Sequence, residues 1–170
     1  MAVSTDRIVL TAQPRGIFKE ITIIGTPKPG TVMAIVPGQT AMNDDGRWDY
    51  EPAGATAASG TNGMAADGDR IPICVLIEDA LQGRAVGTAY ATGERGRVYY
   101  PTNGDELNVL MQNAAGTGDD LAVGDPLIVD DGTGKVLKSA GTPETEPFVC
   151  LQVVTDPTAD QLIWVEFSGN

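Results

Sequence analysis

The chain contains no histidine. That removes the commonest general base, the commonest zinc ligand and the usual side chain that changes charge near neutral pH. Cysteine is nearly as scarce. Cys74 and Cys150 each sit inside an apolar run, ICVL and FVCL. Such neighbours predict two buried, reduced thiols acting as small hydrophobes, not a disulfide framework. Aromatic residues are 5% of the chain, and 11 basic residues face 23 acidic ones, a net charge of −12. A body of that sign repels nucleic acid and anionic membranes. No apolar run approaches the ~20 residues that cross a bilayer. The opening residues MAVSTDR lack the apolar stretch of a secretory leader. The expectation is a protein made and folded in a cytosol, with no nucleic-acid and no membrane partner.

What the chain does have is turn chemistry. It holds 21 glycines and 11 prolines, spread along 170 residues. Three Gly-Asp or Asp-Gly corners, at 104–105, 124–125 and 131–132, punctuate short apolar runs between 104 and 138. Glycine reaches positive φ at little cost and aspartate bonds its own backbone nearby, so the pair makes tight turns. The runs 127–129 and 136–137 flank DDGTGK, the length and composition of a hairpin loop.

Further strand signals lie at 17–24, 31–36, 48–51, 71–78, 148–155 and 161–167. In the last, Leu162, Trp164 and Glu166 share one face, and Ile163, Val165 and Phe167 the other. Residues 85–100 carry too many glycines for a helix and predict two short strands around Gly93-Glu94-Arg95-Gly96. Residues 79–84 suit one helical turn. Residues 52–70 are nearly all small or polar and read as a long loop. About nine or ten strands and almost no helix predict an all-β protein, a small β-barrel or sandwich. The organisation reads as an N-terminal arm, 1–16, and a single β-rich domain, 17–170. No internal repeat of useful length is visible.

Chemical motifs fail on inspection. Gly132-Thr133-Gly134-Lys135 lacks the earlier glycine of a phosphate loop, since position 129 is valine, and Val136 stands where Ser or Thr is needed. Asn43-Asp44-Asp45-Gly46 resembles part of a calcium loop without its twelfth-position glutamate, and reads as a turn. The neighbouring acids Glu78-Asp79 and Asp119-Asp120 read as solvated turn charges. Ser4, Ser59, Ser139, Ser168 and both cysteines have no imidazole to activate them. The expectation is no catalytic residue, no cofactor, no metal and no enzyme activity.

Several segments together resemble a known family: Pro29-Gly30-Thr31-Val32-Met33, Gly96-Arg97-Val98-Tyr99-Tyr100, Gly104-Asp105-Glu106-Leu107-Asn108, Val123-Gly124-Asp125-Pro126-Leu127 and the hairpin 130–135. Over roughly residues 15–168 the chain is similar to the capsid decoration (cement) proteins of tailed bacteriophages. The resemblance implies a tulip-like β-body. It also implies a homotrimer on the outer surface of an icosahedral shell, bound to the major capsid protein and stabilising capsomer junctions. The family has no catalytic residues to carry over.

Residues 1–30 carry a net +2 (Arg7, Arg15, Lys19 and Lys28 against Asp6 and Glu20), and the remainder −14. A basic arm with apolar Ile8, Val9 and Leu10 suggests a partner-binding element: Arg7, Ile8, Val9, Leu10 and Arg15, added as a strand to a neighbour's edge. On that reading, deleting residues 1–14 leaves the body folded. Two alternatives stand beside it. One is a phage head-fibre or tail module. The other is a small-ligand or carbohydrate-binding barrel using Trp48, Tyr50, Tyr90, Tyr99 and Tyr100 as stacking surfaces.

Overall fold

A computed structural model describes residues 7–10, 14–36, 39–53, 73–79, 85–112, 120–130, 132–140, 146–155 and 159–168. The expected loop 52–70, the helical turn at 79–84 and the acids at 119 and 131 lie wholly or mostly outside them. Ten strands follow in order: β1 Ile17–Ile23, β2 Val32–Ile35, β3 Asp49–Pro52, β4 Cys74–Leu76, β5 Arg95–Tyr100, β6 Glu106–Met111, β7 Pro126–Val129, β8 Val136–Lys138, β9 Phe148–Cys150 and β10 Gln161–Phe167. The protein is all-β, as its turn chemistry predicts. Residues 85–100 yield one strand, not two, because Gly93 sits in a turn ahead of β5 with φ of 85°.

The strands close into two barrels of five, in the orders β1-β3-β2-β4-β5 and β10-β6-β8-β7-β9. The two are the same barrel twice. In the first, β1 runs parallel to β3 and antiparallel to β5, while β2–β3, β2–β4 and β4–β5 are antiparallel. In the second, β6 runs parallel to β8 and antiparallel to β10, while β7–β8, β7–β9 and β9–β10 are antiparallel. The registers agree as well. Ile23 stands beside Tyr50 as Met111 stands beside Val136, and Ile21 faces Gly96 as Val109 faces Ile163.

One turn recurs and explains the Gly-Asp corners. In 28–31, 91–94, 102–105 and 122–125 the fourth residue donates its N–H to the first carbonyl, and the third is a glycine with φ between 85° and 94°. That is the geometry of a type II turn, which wants glycine there. In three of them the fourth residue is an acid whose carboxylate returns to the first N–H. The contacts are Glu94 to Ala91 at 2.7 Å, Asp105 to Thr102 at 2.8 Å and Asp125 to Ala122 at 2.8 Å. Both ends of the first residue's peptide are thus satisfied without a strand partner. The predicted hairpin forms too, with Val129 opposite Val136 and Ile128 opposite Leu137.

Strand alternation builds two apolar layers. Ile21, Ile23, Met33, Tyr50, Cys74, Leu76, Tyr90 and Val98 fill the first barrel. The intervening residues Val32, Val75 and Tyr99, with Ile77, join Leu107, Val109, Met111, Leu127, Phe148, Ile163 and Val165 of the second barrel in one larger cluster. That cluster runs continuously across the boundary between the barrels. Two glycines let the backbones meet there. Val32 donates to the Gly134 carbonyl at 2.7 Å, and Leu110 to the Gly30 carbonyl at 2.9 Å.

Candidate attachment surface

The five residues expected to bind a partner do not form one exposed arm. Ile8 is completely buried in the larger cluster, and Val9 packs against it half-buried. Residues 7–10 lie along β6 of their own chain. Val9 pairs with Leu107, Leu10 donates to the Glu106 carbonyl at 2.9 Å, and Asn108 donates to the Ile8 carbonyl at 2.7 Å. The Asn108 side chain donates to the Arg7 carbonyl at 2.7 Å, and the Ile8 N–H reaches the Glu78 carboxylate at 3.1 Å. The premise that this run finds no burial within its own chain is therefore corrected. The acid pair 78–79 is also not a solvated turn, since Asp79 is buried and Glu78 serves the Ile8 backbone. Arg7 and Arg15 are exposed, and neither lies against the other in any described contact.

What sequence reading missed lies at the start of β1. Ile17 is 70% exposed and Phe18 42%. Phe18 leans on the Tyr99 ring with centroids 4.7 Å apart, and the Arg97 guanidinium lies 5.6 Å from its ring centre. Arg15 and Pro14 beside it are exposed. An apolar pair at a strand end, ringed by arginines, looks the same in sequence as a pair of core residues. Only the end of the barrel, at Gly16, leaves them outside. A Cβ on Gly16 would lie 1.9 Å from the Tyr100 carbonyl oxygen.

The buried polar groups are built to stay quiet. Tyr99 donates to Asp105 at 2.6 Å and receives the Gly16 N–H at 2.9 Å. Burial first, and then the donation to Asp105, push Tyr99 up to about 12. Tyr50 and Tyr100 share a hydrogen bond between hydroxyls, with the Lys19 ammonium 3.5 Å from the Tyr50 oxygen. Burial raises both tyrosines. Cys74 donates to the Met33 carbonyl, and burial pushes its thiol up to about 12. Cys150 is raised for the same first reason. Both cysteines are free and buried, as their apolar neighbours predict. The thiolate is the reactive form, so these are the reverse of activated nucleophiles.

This has a measurable consequence. A group whose folded value is raised adds stability that is complete below its unfolded value and lost as pH rises through the folded one. For Cys74 and Tyr99 the unfolded values are 9.0 and 10.0, and the folded values about 12. Urea midpoints should therefore hold steady up to about pH 9 and fall progressively towards about pH 12. At about pH 8 a thiol reagent should leave both cysteines untouched in the folded protein and label both in denaturant. Rapid labelling of the native protein, or a flat alkaline limb, would contradict the burial.

The loop motifs resolve into structure. Asn43 accepts the N–H groups of Asp45 and Arg47, and its amide donates to Thr22 at 2.7 Å and Asp49 at 3.1 Å. Asp45 pairs with Arg47 at 2.8 Å. In the DDGTGK loop, Lys135 pairs with Asp160. Asp125 is held below the ordinary carboxylate range by the Ala122 N–H and then by Lys138, 2.7 Å away. Among the described residues no group of three or more Cys, Asp or Glu is placed to hold a metal ion.

Charge divides with the barrels. Residues 1–104 carry 9 basic and 11 acidic side chains, a net −2, and residues 105–170 carry 2 and 12, a net −10. Together these give the −12 of the whole chain.

No protein-family model matches the chain. No curated protein matches it either. Among solved structures it is similar to the head fiber gp8.5 N base of bacteriophage phi29, at 13% identity and a TM-score of 0.48 over 90% of this chain and 94% of that one.

Proposed function

We propose that the chain is a structural protein of a virus particle, located on the outer surface of an icosahedral capsid. There it acts as a homotrimer on the major capsid protein and stabilises the junctions between capsomers. The observation that carries this reading is the polarity of the two barrels. One half is near neutral and exposes Ile17 and Phe18 among arginines. The other holds −10 of the net charge. Such a body suits a protein that attaches through one barrel and presents a well-hydrated acidic barrel to solvent at high density. The sequence resemblance to cement proteins points the same way. Burial of Tyr50, Tyr90 and Tyr99 in the interior removes three of the five rings that a carbohydrate-stacking surface would need.

The test is direct. Sedimentation should give three times the 17.7 kDa chain mass, unchanged by reductant. Capsids assembled without the protein should release DNA at lower temperature, and purified protein should restore resistance saturably. Binding at only a few sites per particle would reassign it to a head fibre or tail. A monomer that leaves shells unchanged would overturn the reading.

A further inference from the structure

The duplication makes each barrel a control for the other. Counting along the matched registers, Ile23 corresponds to Met111, Ile21 to Val109, Lys19 to Leu107, Phe18 to Glu106 and Glu20 to Asn108. In both barrels the parallel neighbour of the long strand covers only its end. β3 meets β1 at Thr22 and Ile23, and β8 meets β6 at Met111. The rest of that edge is a row of outward-facing backbone groups in each.

In the second barrel the row is filled. Leu10 donates to the Glu106 carbonyl, and Asn108 donates to the Ile8 carbonyl, with Val9 lying antiparallel beside Leu107. In the first barrel the equivalent groups are the Phe18 carbonyl and the Glu20 N–H. They point away from β5: Thr22 and Ile24, in the same phase, donate to Trp48 and Tyr50, while Ile23 donates across to Glu94. Among the described residues nothing pairs with this stretch. An open edge with an exposed phenylalanine beside it is a template for another strand.

We propose that the outward edge of β1 at Phe18 and Glu20 accepts an extended segment of a different polypeptide, antiparallel to β1, with an acidic residue facing Lys19. The second barrel supplies the geometry of the occupant. The differences between the barrels supply its chemistry. Where Leu107 meets apolar Val9, the first barrel has Lys19, whose ammonium lies at the barrel mouth near the Tyr50 hydroxyl. An acid opposite it forms a favourable cross-strand pair. Of the two flanking outward positions, the one that meets Phe18 is apolar, and the other lies opposite Glu20. A second copy of β1 does not fit, because antiparallel pairing about this point would set Lys19 against Lys19. The inference does not rest on the capsid reading, and its test needs no capsid.

The probe is a seven-residue peptide with glutamate at its centre, valine on either side and threonine beyond. The full chain should bind it with a dissociation constant below about 1 mM. The same peptide with central lysine should bind about tenfold more weakly. Hydrogen exchange by NMR reads the edge itself. The Glu20 amide should exchange much faster than that of Ile21 in the free protein and become protected when the glutamate peptide is added. Glu20→Pro removes a donor the barrel does not use and should abolish binding. If that variant does not fold, Lys19→Glu should invert the preference between the peptides. Equal affinities for the two peptides, no binding at about 1 mM, or a Glu20 amide already as protected as Ile21 would each overturn the proposal.

Discussion

Removing residues 1–14 should destroy the cooperative fold or leave it barely stable, contrary to what the composition of that stretch suggests. Ile8 is wholly buried between the barrels. Emptying an isoleucine site down to alanine costs about 2–5 kcal/mol. The truncation removes more than the side chain. It strips partners from the Glu106 carbonyl, the Asn108 N–H and the Asn108 amide. Each hydrogen bond lost adds about 0.5–1.5 kcal/mol. Against a total stability of about 5–15 kcal/mol, the sum is decisive. Two point variants separate burial from mere chain length. Ile8→Ala should lower the unfolding midpoint by roughly 10 °C, at about 2–4 °C per kcal/mol for a chain of this size. Arg7→Ala, at an exposed side chain, should change the stability by no more than about 0.5 kcal/mol. A truncated protein that melts like the full chain would show that residues 7–10 lie elsewhere in solution.

The misreading of that segment has a physical cause. A short apolar run followed by Gln13-Pro14-Arg15-Gly16 carries every local mark of a detached arm, and its partner Asn108 lies 101 residues along the chain. Strand pairing over such a distance leaves no trace in local periodicity. Local rules did reach much of the rest. The glycine corners, the β7–β8 hairpin, the alternating faces of β10 and the buried thiols follow from turn geometry and a period of two. The duplication was invisible for a different reason. What repeats is strand pairing and turn placement, and many different side chains satisfy both. Gly30 and Gly124 open matching turns before β2 and β7, with φ of 93° and 94°. Yet the strands behind them, VMAI and PLIV, share only apolar character. The open edge of β1 was hidden for the same reason, since it is defined by comparison with β6.

The junction between the barrels should fail at a single added methyl group, Gly134→Ala. Gly134 has φ of +64°, where an alanine carries strain of about 1–2 kcal/mol. Strain is the smaller part. A Cβ there would lie 2.3 Å from the Val32 carbonyl oxygen and 3.1 Å from the Ala53 nitrogen, both backbone atoms of the other barrel. Neither can step aside as a side-chain tip does. Forcing them apart stretches the Val32 to Gly134 hydrogen bond and adds about 1–3 kcal/mol of overpacking. The expected loss is about 3–5 kcal/mol, again roughly 10 °C or more. Gly46→Ala isolates the strain, because Gly46 has φ of +73° with nothing within 4 Å of the added atom. It should cost about 1–2 kcal/mol. Hydrogen exchange should then separate the two variants by location. Gly134→Ala should release the amides of Val32 and Ala53 at the barrel boundary, and Gly46→Ala should leave them protected. Equal destabilisation by the two substitutions would mean that the barrels do not meet at Gly134.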